Sequence, residues 1–335
     1  MTSDYLSSPA NQNKAPEPKN PKRHKHRDWS GATVGLIIGL AGIFAARLGE
    51  IWIGFDIFAQ FWIQFAFITL ACVLGILSPR YKSLVATVLL TLMVAGYSAW
   101  PYLVSSNANS KLNELRANEK ILKVASFNTF ELNNDFKAIA DEILRLDPDV
   151  MTLVEFNASK SKVLELVYEK YPYQETCWKI IECDFAIISK IPISGVKGKG
   201  LWDGPPLIAA KLGSEYGGLN VFGIHTSRFP HQRAQLAQVL ALTKYMESVT
   251  DRIVMMGDFN ATPFSRITRT LSDGLGLERR TYLPTWSAKY GFPQLAIDHI
   301  FVSPSIRTLE SERIGDSAGS DHFPITMTLA IPTSK

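Results

Sequence analysis

Several carboxylate, amide and imidazole side chains stand where apolar runs of this sequence begin or end. Asn128 ends ILKVASFN, Glu155 follows DVMTLV, His225 ends GLNVFGIH, and Asp258 and Asn260 close DRIVMMGDFN. Asp298 opens DHIFV, and Asp321 and His322 precede FPITMTL. One Asn or Asp at the end of a strand is ordinarily a turn or cap residue. Four aligned strand ends and two strand starts are harder to read that way. If the last two strands run antiparallel to the first four, all these groups meet at one rim. The chemistry that suits them is metal-assisted hydrolysis of a phosphoester. Glu155 and Asp321 are hard oxygen donors and Asn128 offers an amide carbonyl, a sparse set of the kind that holds Mg²⁺ together with water. His225 and His322 can donate to the phosphate. Asp298 can orient His322, and Asp258, positioned by Asn260, can take a proton from water.

Two competing chemistries fit less well. A zinc hydrolase needs three converging His or carboxylate ligands. Only His225 and His322 occupy strand-end positions, and the chain contains no HExxH. A serine hydrolase of the elbow type fits no better, because the GxSxG match GDSAG (315–319) is followed by a strand pattern and not by the helix that such an elbow opens.

The elements that must position these groups follow from periodicity. ILKVASF, DVMTLVEF, FAIISK, PLIAAKL, GLNVFGI, DRIVMMG, AIDHIFV and HFPITMTL read as strands; residues 135–146, 159–170 and 231–248 read as helices. Many strands with few long helices predict two packed sheets with helices on their outer faces. This domain is expected over residues 120–335.

Upstream the sequence changes character. Residues 1–28 form a polar tail ending in PKRHKHRD, expected to be disordered. Residues 29–104 hold three apolar stretches, about 31–47, 57–77 and 83–104, flanked by Trp29, Trp52, Tyr81, Trp100 and Tyr102. Their lengths approach the roughly 20 residues that span hydrocarbon as a helix, so three transmembrane helices are expected. Gly31, Gly35 and Gly39 mark a face on the first that another helix can approach closely. Residues 105–119 read as a polar linker. Lys22, Arg23, Lys25 and Arg27 precede the first span, and Arg80 and Lys82 lie between the second and third. Positive-inside then places the tail in the cytoplasm and the C-terminal domain outside the inner membrane, in the periplasm.

Charge and cysteine usage bound the partners. Residues 120–335 carry 24 Lys+Arg against 24 Asp+Glu, so the domain is not a basic body built to grip a polyphosphate. Its sharpest basic cluster is Arg266, Arg269, Arg279 and Arg280. Nucleic acid is therefore disfavoured as a substrate, and a membrane setting suits a small or lipid-linked phosphoester. Arg228 could reach substrate phosphate. Cys72 lies in the second span as a packing residue. Cys177 and Cys183 could pair across a hairpin in an oxidising compartment, although spacing alone does not fix it. The sequence does not specify an oligomeric state.

SFNT (126–129), VEF with Glu155, GIHTS (223–227), MMGDFNATPFS (255–265), IDHIFVS (297–303) and GSDHFPI (319–325) together resemble the endonuclease/exonuclease/phosphatase superfamily. The resemblance implies a DNase I-like α/β fold, a four-layer α/β/β/α sandwich, and a Mg²⁺- or Mn²⁺-dependent phosphoesterase. It implies metal-site roles for Asn128, Glu155 and Asp321, and phosphate contacts for His225 and Asn260. Asp258 would be the water-activating or leaving-group carboxylate, and Asp298 and His322 a paired acid and imidazole. LPTWSAKYGFPQLAIDHIF (283–301), with the apolar stretches upstream, resembles a bacterial membrane-anchored branch. Trp286 in that segment is expected to pack beneath the site loops. An extracytoplasmic nuclease and a non-catalytic membrane module are the alternative readings.

Overall fold

The computed structural model describes residues 31–77, 89, 115–179, 183–200, 202–291 and 294–333. The expected tail at 1–28, all but residue 89 of the third apolar stretch at 83–104, and most of the linker at 105–119 lie outside these residues.

Two six-stranded mixed sheets form the C-terminal domain. The first contains β1 (Glu119–Asn128), β2 (Val150–Val154), β3 (Tyr173–Thr176), β4 (Phe185–Ser189), β11 (Arg307–Ile314) and β12 (Ile325–Pro332), in the order β11-β12-β1-β2-β4-β3. The second contains β5 (Ile193–Lys199), β6 (Leu207–Leu212), β7 (Asn220–His225), β8 (Ile253–Asp258), β9 (Glu278–Arg279) and β10 (Asp298–Val302), in the order β5-β6-β7-β8-β10-β9. Each sheet has one parallel pair at its centre, β1 with β2 and β7 with β8; the other pairings are antiparallel.

Three apolar cores separate four layers, as expected. Leu122, Val124, Ile187, Val254, Ile300 and Leu329 belong to the core between the sheets. Helices α4 (Phe136–Leu146) and α5 (Ser161–Val167) cover the outer face of the first sheet through Ile139, Ile143 and Val163. Helices α6 (Gln232–Met246) and α7 (Arg266–Leu275) cover the second through Val239, Leu242, Ile267 and Leu271. Asp135 caps α4 by accepting from the Ala138 N–H, and Ser265 caps α7 by accepting from Ile267. Cys177 and Cys183 form a disulfide beside β4.

Among the described residues, α1 (Gly31–Leu48) alone is long and apolar enough to cross a membrane by itself. The second expected span is not one straight helix. It is divided into α2 (Asp56–Ala59) and α3 (Trp62–Leu77), and Ile53–Ala59 meets Trp62–Ile76 at 58°. The break falls where Asp56 and Gln60 turn toward the C-terminal domain. The glycine face of α1 is occupied within the chain. A Cβ at Gly35 would come within 2.5 Å of Cys72 Sγ, and one at Gly39 within 2.3 Å of Thr69 Oγ1, both on α3.

Glu312 on β11 carries a pH-dependent part of the stability. Its Oε1 accepts the Tyr282 and Leu283 N–H groups. Burial pushes its carboxyl up to about 7 from 4.5, although those N–H groups and Arg279 pull the other way. The folded state therefore binds the proton more tightly, and stability is lost as pH rises through that interval. Glu312→Gln should stabilise the protein relative to wild type by about 3 kcal/mol more at pH 8 than at pH 4.5, read as the difference between their thermal unfolding curves at the two pH values.

Candidate active site

Strand register assembles one half of the site. On the central strands of the second sheet, His225 is paired with Asp258, and Asp258 with Asp298. Three functional side chains thus stand abreast on β7, β8 and β10. In the first sheet Asn128 pairs with Val154, which places Glu155 one residue beyond the end of β2. His322 lies just ahead of β12, which runs antiparallel to β1 as the motif reading required.

The backbone around these groups is specialised. Glu155 and Asn260 have φ of 53° and 46°, and Phe130, just after the first of these strands, has 58°. Left-handed non-glycine residues are uncommon and gather at functional sites. Gly257 explains the glycine before Asp258. Its φ is 147°, and a Cβ there would lie 2.0 Å from the Ile224 carbonyl oxygen. Only glycine lets β8 approach β7 closely enough to set Asp258 beside His225.

Asp258 is the hub. Its Oδ2 accepts the Asn128 Nδ2 amide at 3.1 Å and lies 3.7 Å from His225 Nε2 and 3.6 Å from His322 Nε2. Its Oδ1 accepts the Asn260 N–H at 2.8 Å. Asn128 Nδ2 also donates to Glu155 Oε1 at 3.0 Å, bridging the two carboxylates. The carbonyl of that amide is used elsewhere, accepting the Phe130 N–H at 3.0 Å. Asn128 thus presents its NH₂ to the carboxylates, where the sequence reading expected its oxygen. Asn260 donates instead to the Thr226 carbonyl at 3.0 Å, so its side chain fixes the loop.

Asp298 and His322 form the expected pair, with His322 Nδ1 2.8 Å from Asp298 Oδ2. Thr285 donates to the same carboxylate oxygen. The imidazole therefore has Nδ1–H bound to Asp298 and Nε2 facing Asp258. Electrostatics follow from this burial and crowding. Burial raises Asp258, and Asp298 adds to the rise against the pull of His322 and His225. Burial disfavours charge on His322, but Asp298 and Asp258 outweigh it and raise the imidazole above its ordinary value. Burial likewise opposes charge on Glu155, yet His225, the Asn128 amide and the Glu131 N–H hold it below the usual range.

Two sets of titratable groups can converge on one ion: Glu155, His225 and Asp258, and Asp258, Asp298 and His322. Asp321 joins neither; its Oδ2 is 3.4 Å from the Trp286 indole nitrogen and 4.0 Å from Lys289 Nζ. Glu155 and Asp258, with adjacent His225, give a predominantly hard oxygen donor set that fits a divalent cation. Trp286 packs edge-on against Phe229, with centroids 6.4 Å apart, and its backbone bridges to His322.

Sequence reasoning missed two supports. Lys160 is fully buried, and its Nζ donates to Thr129 Oγ1 at 3.1 Å and to the Phe130 and Glu155 carbonyls at 2.6 Å each. It ties together the two left-handed residues beside Asn128 and at Glu155. A lysine in a helical stretch gives no sequence signal of this role. Lys160→Met should remove all three hydrogen bonds made by the charged amine, costing on the order of 3 kcal/mol, and lower the thermal midpoint by roughly 6–12 °C. The second support is His299. Burial pushes its imidazole down to about 3, so it is neutral. Its Nε2 lies 2.8 Å from the Ala261 carbonyl, and its Nδ1 3.1 Å from Thr281 Oγ1.

Residues 125–322 match the sequence model of the Endonuclease/Exonuclease/phosphatase family. Similar solved structures include an endonuclease/exonuclease/phosphatase from Bacteroides vulgatus, at TM-score 0.53 and 15% identity over 63% of this chain and 98% of that one. Sphingomyelinase C from Streptomyces griseocarneus aligns at TM-score 0.50 and 15% identity over 62% and 99% of the two chains. An endonuclease/exonuclease/phosphatase from Beutenbergia cavernae aligns at 0.50 and 17% over 63% and 72%. At these identities the likeness is one of fold. No curated protein matches the chain.

Proposed function

The chain belongs to the endonuclease/exonuclease/phosphatase family, and from that premise we propose that it is a membrane-anchored, divalent-metal-dependent phosphoesterase. It hydrolyses a phosphodiester or phosphomonoester by in-line attack of water. The observation that carries the reading is the convergence of Asn128, His225 and His322 on one buried Asp258 oxygen, with Glu155 across the shared amide.

Glu155, from the convergent set, and Asp321, which lies outside it, are the carboxylates proposed to hold Mg²⁺ (or Mn²⁺), which when bound would polarise a phosphoryl oxygen and offset its developing charge. Asn128, expected as a third donor, keeps the Glu155 and Asp258 carboxylates in register through Nδ2. His225 and protonated His322 donate hydrogen bonds to phosphoryl oxygens in a water-poor site, where such bonds are strongest. Asp298 holds His322 by Nδ1 so that Nε2–H faces the substrate. Asp258 takes the proton of the attacking water, its pKa raised toward the working range of a base. Asn260 sets that carboxylate through its backbone N–H, while its side chain holds the Thr226 carbonyl.

Membrane anchoring is supported by α1 and by the bent α2–α3 pair. Contacts of residues 49–60 with the C-terminal domain support an odd number of spans before it. The α1–α2 turn touches the domain, so both lie on one side of a bilayer. If α3 crosses away from that side, the stretch at 83–104 must cross back. With the cations of the tail held inside, that side is the periplasm. The nuclease alternative loses its basic patch: Arg266 donates to the Gly49 and Glu50 carbonyls, Arg269 pairs with Glu50, and Arg280 pairs with Glu278.

A substrate panel tests the proposal. Full-length protein in detergent, with Mg²⁺ or Mn²⁺, would be given soluble phosphomonoesters and diesters, phospholipids in mixed micelles, and supercoiled plasmid. Hydrolysis of a small or lipid-borne ester with intact plasmid is expected. Failure on every ester with both ions would end the proposal, and nicking of plasmid alone would transfer it to the nuclease reading.

A further inference from the structure

We infer that the turn between the two N-terminal apolar helices is a working part of the catalytic unit, in which Asp56 and Gln60 are positioning residues for the loop that follows Asp258 and Asn260. The inference rests on the proposed activity for its kinetic consequence, but not for its structural one.

Asp56 and Gln60 are polar residues in an apolar stretch, and both are buried, at 0% and 2% exposure. Their acceptors are spent on the C-terminal domain, about 200 residues away in sequence. Asp56 Oδ1 accepts the Arg266 N–H at 2.7 Å, and Oδ2 accepts the Ser265 hydroxyl. A carboxylate here meets the open N–H groups and positive end of α7, which adds to the cap that Ser265 provides. Gln60 Oε1 accepts the Thr262 N–H at 2.7 Å, and the Ala59 carbonyl accepts the Thr262 hydroxyl at 3.1 Å. The Gln60 Nε2 has no partner among the described residues, so the acceptor end is what its burial secures.

Around these bonds the contact is broad. Trp62 stacks on Phe264 with centroids 4.9 Å apart, Phe61 meets Phe229 at 6.2 Å, and Ile53 enters the core beneath α6 and α7. Arg266 returns two bonds to the Gly49 and Glu50 carbonyls.

The segment held in this way is the continuation of the site. Gln235 Nε2 donates to the Phe259 and Asn260 carbonyls at 2.9 and 3.2 Å, and His299 lies 2.8 Å from the Ala261 carbonyl. Those contacts grip residues 259–261 from the domain's own side. Thr262 and Ser265–Arg266, the next links, are gripped by the N-terminal turn. Asn260 sits at φ 46°, a conformation that persists only where its surroundings over-determine it. Releasing Thr262 and Arg266 removes the restraint on its C-terminal side and allows Asp258 to drift from its productive place. Displacements of about 1 Å in a preorganised site cost up to roughly a hundredfold in rate.

The test uses the full chain in detergent, comparing wild type with Asp56→Ala, Gln60→Met and Asp56→Asn. Two quantities are read: amide hydrogen exchange at Thr262 and Arg266, and kcat and KM for bis(p-nitrophenyl) phosphate with Mg²⁺. Asp56→Ala should speed Arg266 exchange, and Gln60→Met that of Thr262, at least about tenfold, while β1 and β12 stay protected. Each should lower kcat about tenfold to a hundredfold with KM little changed. Asp56→Asn retains an acceptor for Arg266 and should fall between wild type and Asp56→Ala. Wild-type exchange at both amides in the folded variants would overturn the inference, as would wild-type kcat despite faster exchange. Should Asp56→Ala fail to fold, Gln60→Met and Asp56→Asn decide the matter. Should wild type hydrolyse nothing, the phosphoesterase reading falls, and exchange alone decides whether the turn holds the loop.

Discussion

Asp258→Asn is expected to lower kcat by at least about a thousandfold, about 4 kcal/mol of transition-state stabilisation, without unfolding the protein. The carboxylate is 1% exposed, receives the Asn128 amide and the Asn260 N–H, and faces both histidines. Asparagine cannot accept a proton from water, and its NH₂ would oppose the Asn128 NH₂. Burial is the largest influence on this group and works against its charge. Removing the charge should therefore leave the thermal midpoint unchanged or raise it, as happens where a site holds charge at the expense of stability. Steady-state kinetics beside a melting curve separates the two effects. A variant that loses activity only because it melts would contradict the assignment.

His322→Ala should cost about a hundredfold to ten-thousandfold in kcat, and Asp298→Asn a comparable amount. Asp298 Oδ2 accepts from His322 Nδ1 and from Thr285. An asparagine there removes the negative charge that stabilises the imidazolium, leaving His322 a neutral and weaker donor to the phosphoryl oxygen. Because Asp298 acts through His322, the two losses should not add. The double variant is expected to be no slower than His322→Ala by more than a few-fold. Full additivity would mean that Asp298 has a separate task.

The site was legible because its residues fall at the ends of strands with plain apolar patterns. DRIVMMGDFN and AIDHIFV became β8 and β10, in the antiparallel register that brings Asp258 to Asp298. Strands β3, β5, β9 and β11 were not anticipated, for identifiable reasons. ISGVKGK has no fully buried residue, Glu278–Arg279 is two residues long, and RTLESERI carries charges through register shifts against β12. Helix α7, RITRTLSDGL, was missed because its apolar stripe is only Ile267, Leu271 and Leu275. The orientation of the Asn128 amide depends on a left-handed Phe130, which no side-chain pattern reports. The docking of Asp56 and Gln60 was invisible for a different reason. Asp56 stands just before the second apolar stretch and Gln60 within it, and partners about 200 residues away leave no local trace.

Divalent-ion dependence of turnover puts the whole arrangement to the test. Full-length protein stripped with EDTA would be titrated with Mg²⁺ while hydrolysis of bis(p-nitrophenyl) phosphate is followed, in parallel with Glu155→Gln. Wild type should be silent in chelator and recover saturably, and Glu155→Gln should recover little or only at much higher Mg²⁺. Undiminished hydrolysis in excess EDTA, or a Glu155→Gln titration that overlays wild type, would contradict it.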